Sequence, residues 1–341
     1  MRLLALAAAL LSSSVPFKTA SQAPAPAKPA DAAQGNQTAG PPAQGNPAAG
    51  GSASSAERRF RIQQSIVVPP QKADATVFIP VPHDDQWQTI SGLQLPEGAE
   101  TVRDALGNVA ARVKVPAAGS ELKLAFDVDR RERAAKFDAP AKPVGRPADL
   151  ARWLKDDKLV QVDDRIRKIA ADQTRNARTP LDKARAIYAY VVSTMKYQKT
   201  GDGWGNGSIV WACDAKYGNC TDFHALLIGL LRAEGIPARF EIGRSVPPAS
   251  GAVAGYHCWA DFWLDGIGWV PVDASEAWKH PDRRDYFFGH HDDDRFALSQ
   301  GRDLRLPGLA GEPLNYFVDP VAEVDGLRAP GVKQTTQVTA L

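Results

Sequence analysis

The chain has 341 residues, enough for two modest domains with tails. Lys+Arg number 41 and Asp+Glu 39, a formal charge of +2, so no field of either sign argues for nucleic acid or an acidic polymer as partner.

Met1-Arg2, the apolar run at 3–11 and Ser12-Ser13-Ser14 read as a secretory signal peptide, 1–23, with cleavage expected near Ala23. The run is too short to span a bilayer, which takes ~20 apolar residues. No Cys precedes Cys213, so no lipid-attachment cysteine closes the signal, and no later segment reads as a membrane span. The expectation is an exported soluble protein, periplasmic or secreted. Residues 24–56 are almost all Ala, Pro, Gly, Gln, Asn and Ser, with Ala33-Gln34-Gly35-Asn36 recurring as Ala43-Gln44-Gly45-Asn46. Such a segment buries too little to offset its ordering entropy and is expected to be a flexible tether.

Residues 57–130 change character. Strand-like runs at 61–68, 76–81, 109–115 and 122–128 are separated by Pro96-Glu97-Gly98 and Leu106-Gly107-Asn108, which predicts a small antiparallel β-sandwich. A linker at 142–147 follows, then helices at 149–155, 163–175 and 180–195. The last has Thr179 as its cap and Pro180 at the first helical position. A second domain is expected over 148–325, with 326–341 as a C-terminal tail.

The chemistry falls in that second domain. Asn219 reads as an N-cap with Asp222 three residues on, which puts Cys220 at the first position of an apolar helix that Gly235 and Pro237 end. A helix N-terminus depresses a thiol's pKa, but Asp222 opposes this, so a cationic partner is required. The segment 256–264 alternates as a strand with His257, Trp259, Asp261 and Trp263 on one face. Asp265-Gly266 reads as a two-residue turn, and the strand 268–273 returns. That register puts His257 opposite Ala274, and a bulge at Gly268 or Pro271 would bring Asp273 opposite the imidazole. His224, one turn from Cys220 on the same helix face, is the rival base, but no carboxylate is evident to orient it.

Cys213 and Cys258 read as buried, inert thiols, with a Cys213–Cys258 disulfide as the alternative. A zinc cluster of Cys213, Cys220, His224, His257 and Cys258 is disfavoured because no C-x-x-C pair occurs, and no metal or cofactor is expected. The run from His290 to Arg295 looks metal-like, yet consecutive residues converge poorly on one ion, so a solvated loop is expected. Six of the eight tryptophans lie between Trp204 and Trp278. Core packing is their default role. The sharper expectation is that Trp259 and Trp263, sharing a face with His257, wall a cleft.

Tyr217-Gly218-Asn219-Cys220-Thr221-Asp222, the stretch from Arg232 to Arg239, Tyr256-His257-Cys258-Trp259-Ala260 and the stretch from Gly268 to Ser275 together resemble the bacterial transglutaminase-like superfamily. The resemblance covers residues 180–306 and is nearer the bacterial branch than the animal cross-linkers, since no calcium-site signature or array of β-domains is evident. It implies a papain-like α+β fold with Cys220 as nucleophile, His257 as general base and acid, and Asp273 as orienter. It places one oxyanion donor at the Cys220 N–H and a second upstream of the Cys, where Trp204, Trp211 and Tyr217 are candidates. Trp211, Tyr217, Trp259 and Trp263 are the expected substrate-binding residues. The implied activity is acyl transfer from a peptide or side-chain amide through a thioester, hydrolysis being favoured because water needs no second-substrate site. Protein cross-linking and a fold retained only as a scaffold are the alternatives. The expected partner is a peptide or protein of the cell envelope, and nothing in the sequence selects an oligomeric state.

Overall fold

The structure, a computed structural model, describes residues 57–137 and 145–341. The expected signal peptide and tether lie outside the described residues. Six strands come first: β1 (Glu57–Val68), β2 (Ala75–Val81), β3 (Gln88–Gln94), β4 (Glu100–Arg103), β5 (Val109–Val115) and β6 (Ser120–Arg131), then the short β7 (Arg133–Ala134). A 3-10 turn at Leu150–Leu154 replaces the first expected helix. Next are α1 (Asp164–Thr174), α2 (Pro180–Thr194), β8 (Lys196–Tyr197), α3 (Ile209–Ala215), β9 (Tyr217–Gly218) and α4 (Cys220–Ala233). β10 (Ala238–Ser245), β11 (Gly251–Ala252), β12 (His257–Leu264), β13 (Gly268–Val272) and α5 (Ala274–Lys279) follow. The chain ends with β14 (His290–His291), β15 (Arg295–Gln300), β16 (Val321–Val324), β17 (Leu327–Ala329) and β18 (Lys333–Ala340).

The first strands form a sandwich for a simple reason. In β1, Phe60, Ile62, Ile66 and Val68 are buried at alternate positions while the residues between them face outward, so each strand offers one apolar face that needs a second sheet. One sheet runs β11-β18-β1-β6-β3 and the other β17-β16-β2-β5-β4. The stretch expected as a tail is therefore structural. β18 pairs with β1 from Phe60↔Ala340 to Val67↔Lys333, and β16 pairs with β2. Its polar, Thr/Gln-rich sequence hides this because only Thr336 and Val338 of β18 are buried.

The second region is α+β: a four-stranded antiparallel sheet, β13-β12-β10-β15, against which α4 packs. Residues 220–232 of α4 are all buried, more than the single apolar stripe of the sequence implied, because α1, α2 and α3 cover its other sides. Arg232 is tolerated there because it donates to Ala238 O (3.1 Å from Nε), Lys155 O (2.8 Å) and Asp157 (2.7 Å). All eight residues of β12 are buried as well, between this helix layer and the sandwich. No helix among the described residues is long and apolar enough to cross a membrane.

β10 approaches β15 so closely that a Cβ added at Gly243 would lie 1.8 Å from Phe296 O. Gly243→Ala must push these strands apart, and it is expected to cost about 3 kcal/mol, read as a lowered denaturation midpoint.

Candidate active site

Helix α4 starts at Cys220 because Asn219 caps it. The Asn219 side chain accepts from Thr221 N (2.9 Å) and the Thr221 hydroxyl (2.6 Å), while Asp222 reaches back to Asn219 N (3.0 Å). Among the described hydrogen bonds none uses the Cys220 N–H, so it is available to an incoming oxygen. Asp222 also accepts from Gly205 N (2.7 Å) and Gly207 N (3.1 Å), tying the glycine-rich segment to the helix start. Burial lifts its carboxyl to about 6 against these three N–H donors. Gly218 is obligatory here, since a Cβ would fall 2.2 Å from Asp222 Oδ2.

His257 and Asp273 meet, though not as a strand pair. The turn has three residues, with Leu264 opposite Gly268 and Ala260 opposite Val272. No bulge aligns Asp273 with His257. β13 ends at Val272, and Asp273 caps α5, accepting Glu276 N at 3.0 Å. This change of direction carries the carboxylate to the imidazole, with Asp273 Oδ2 2.7 Å from His257 Nε2. Cys220 acts on the same imidazole, each of the two shifting the other towards its charged form.

The three groups are almost wholly buried: Cys220 is 1 % exposed, His257 4 % and Asp273 0 %. Burial alone would keep both thiol and imidazole neutral. For Cys220 it is outweighed by hydrogen bonds from the Cys258 thiol and His257 and by the Lys279 charge, which hold the thiol well below its ordinary value. For His257 burial is outweighed by Asp273, Cys220 and Glu276, which push the imidazole up to about 10. Asp273, despite burial, is held well below the carboxylate range by His257 and Arg295. Both shifts favour the charged forms, thiolate beside imidazolium.

His224 differs from its sequence reading in one respect: it does have a carboxylate beside it, with Nε2 3.6 Å from Asp273 Oδ1. Ala274 N, which can only donate, lies 3.3 Å from Nε2, so that nitrogen carries the lone pair. Nδ1 then carries the hydrogen and donates to Cys220 O (2.8 Å). Burial holds the ring neutral, and both nitrogens are occupied with backbone.

All three cysteines are free and buried. Cys258 is not inert, however. Burial and the Cys220 charge raise its thiol well above the ordinary value, so it stays protonated and donates to the Cys220 sulfur. His224 Nδ1 also lies 3.6 Å from its sulfur.

The expected substrate-binding residues separate. Trp259 is fully buried, with its indole N–H on Glu241 (2.7 Å), and Trp263 packs with Leu150, Trp153 and Trp269. Neither walls a cleft, because this face of β12 meets the sandwich and the 150s turn. Trp211 and Tyr217 are half-buried and stack edge-on at 5.4 Å. The Trp211 N–H is spent on Tyr217 O (3.0 Å), which removes it as an oxyanion donor. A hydroxyl the sequence reading passed over is bonded to the residue before Cys220: Tyr256 OH accepts from Asn219 Nδ2 at 2.9 Å.

Other residues overlooked in the sequence are also at the site. The run from His290 is not a solvated loop: Arg295 donates to Asp273 Oδ2 (2.9 Å) and Asp292 (2.6 Å), and His291 is fully buried. Glu276 lies 3.8 Å from His257 and pairs with Lys279 at 2.6 Å. His257, Asp273 and Glu276 bring three ligand-type atoms within 4.8 Å of one another, but Arg295 and Lys279 already balance the two carboxylates. Only the spacing of Glu276, three residues from Asp273 on one helix, could have signalled any of these.

Residues 167–274 match the family model of the transglutaminase-like superfamily, so the chain carries a transglutaminase-like domain there. An uncharacterized protein of Haemophilus influenzae is 25% identical over 312 residues, covering 76% of this chain and 84% of its own. A candidate cysteine protease from Cytophaga hutchinsonii superimposes with a TM-score of 0.59 at 18% identity, over 84% of this chain and 92% of that one.

If Asp222 ties down the glycine segment, Asp222→Ala removes the acceptors of the Gly205, Gly207 and Asn219 amides. Hydrogen exchange at Gly205 and Gly207 should accelerate about tenfold or more, the equivalent of one lost buried hydrogen bond.

Proposed function

We propose that the protein is an exported cysteine acyl-transfer enzyme that hydrolyses peptide or side-chain amides of cell-envelope substrates. The observation that carries this reading is a buried Cys220 at the head of α4 beside a buried His257 that Asp273 holds at 2.7 Å, an arrangement that favours thiolate and imidazolium. Its scope is supported by the transglutaminase-like domain and the leader-like first residues.

In this reading the Cys220 thiolate attacks the amide carbonyl carbon and a C–S bond forms. The oxyanion is met by the unspent Cys220 N–H, with the Tyr256 hydroxyl as a second nearby donor. His257 gives its proton to the leaving amine as the C–N bond breaks, leaving a thioester and a neutral imidazole. Water, deprotonated by His257, then attacks the thioester; the acid departs, and the thiolate and imidazolium are restored. Asp273 keeps its charge throughout and stabilises the imidazolium. With the thiol 1 % exposed, a substrate enters only as neighbouring side chains move aside. Hydrolysis is preferred to cross-linking because water requires no acceptor site.

Purified protein should release amines from envelope-type peptides, and an added primary amine should divert only a minor share of the product. Cys220→Ala should abolish turnover with an unchanged circular dichroism spectrum; an active variant would exclude the thiol mechanism.

His257→Ala should lower the rate by several orders of magnitude and Asp273→Ala by less. Cys220 alkylation by iodoacetamide should stay fast far below pH 9, because the imidazolium stabilises the thiolate as pH falls. That low-pH shoulder should vanish in His257→Ala. Retention of the shoulder there would assign the cation elsewhere.

A further inference from the structure

Arg295 opens β15, and its guanidinium is 2 % exposed. Its Nη1 donates to Asp273 Oδ2 at 2.9 Å, the oxygen that also accepts from His257 Nε2 at 2.7 Å. Its Nε and Nη2 hold Asp292 Oδ1 at 2.9 and 2.6 Å. The direction of this side chain is therefore set at both ends, by its own strand and by Asp292.

β15 is the outer strand of its sheet, and an outer strand leaves a row of backbone groups without a ladder partner. Here two amide side chains of the sandwich take the place of the missing strand. Gln88 accepts from Ala297 N (2.8 Å) and donates to Ala297 O (3.1 Å). Asn108 accepts from Gln300 N (2.8 Å) and donates to Gln300 O (2.9 Å). Both amides are essentially buried, at 1 % and 0 % exposure, so neither pair of bonds has water to fall back on.

We propose that Arg295 is a positioning residue for the His257–Asp273 pair, and that the N-terminal sandwich fixes it through Gln88 and Asn108. The sandwich is then a working part of the active site rather than an appendage. The inference rests on the acyl-transfer reading above. Ser275 and Glu276 N occupy Asp273 Oδ1 (2.9 and 3.0 Å), so Arg295 and His257 share Oδ2 in a carboxylate that cannot rotate. A second cation on that oxygen draws charge from it. The imidazolium is held less tightly, which suits a group that must give its proton to the leaving amine.

Other titratable groups face the pair from every side. Cys220 and His224 come from α4, Glu276 and Lys279 from α5, and Cys258 from β12. Tyr188 of α2, Tyr197 of β8, His291 of β14 and Asp294 lie further out, with Asp292 behind Arg295. Of the cations among them, Arg295 alone donates to an Asp273 oxygen.

The test follows the His257 imidazole by NMR titration, which needs no substrate. In Arg295→Gln the titration should move up by about one pH unit while turnover falls about tenfold or more. Arg295→Lys keeps the charge and should return the titration towards wild type. Gln88→Met loosens the strand and should shift it upward by a smaller amount, with no added shift in the Arg295→Gln background, since both act through one contact. A titration unmoved or lowered in Arg295→Gln overturns the role of Arg295, and shifts that add independently overturn the sandwich link. If Arg295→Gln does not fold, Gln88→Met decides by the same upward shift. Failure of the acyl-transfer reading is separate: there, Cys220→Ala would leave the wild-type His257 titration unchanged.

Discussion

The carboxylate of Asp273 is the point on which the site depends. It is fully buried, and a buried carboxylate persists only if every lone pair finds a donor. His257 and Arg295 meet one oxygen, while Ser275 and the Glu276 amide meet the other. These donors come from three different pieces of chain: β12, β15 and the first turn of α5. The carboxylate therefore fixes how the sheet, the helix and the β15 edge sit together, as well as orienting an imidazole. Removing its charge would leave a buried guanidinium and a buried imidazolium facing a neutral side chain.

A similar logic explains why two histidines one helix apart play different parts. His224 has its nitrogens committed to backbone, one accepting from Ala274 N and one donating to Cys220 O. It holds the start of α5 against the first turn of α4. His257 has a carboxylate on one nitrogen instead, and its charged form is favoured by Cys220. Proximity to Cys220 along the sequence favours His224, but hydrogen-bond partners decide the matter. Cys258 adds a further layer, since its protonated thiol stabilises the neighbouring sulfur as an anion at the cost of its own acidity.

Burial of charge extends beyond the site. Arg133 of β7 reaches Asp261 of β12 at 3.0 Å, and Arg239 holds the same carboxylate at 2.7 Å. Arg130 is 1 % exposed with two nitrogens unpartnered by protein. The face of β12 that carries Asp261 thus holds buried charge, whereas the opposite face, with Cys258, Ala260, Phe262 and Leu264, is apolar. Trp259 and Trp263 share the first of these faces with Asp261; Trp259 packs on His257 with ring centroids 5.9 Å apart, but both indoles are buried and leave no open wall.

Much was legible in the sequence because it depends on neighbours in the chain. The capped start of α4 at Cys220, the alternation of β1, and the hairpin that carries His257 all follow from local rules of capping and periodicity. The transglutaminase-like domain was legible for the same reason, its motifs being short and contiguous. What the sequence could not carry were contacts across distance. β18 looked like a tail because an edge strand with one half-buried face needs little apolar content, and its partner β1 lies at the opposite end of the chain. Arg295, Gln88 and Asn108 looked like ordinary polar residues because a polar side chain gains its meaning from the buried group it meets. Local pattern alone determined where the thiol and the imidazole sit in their elements. Tertiary packing alone decided which charges surround them, because removal from water is what makes each of those partners necessary.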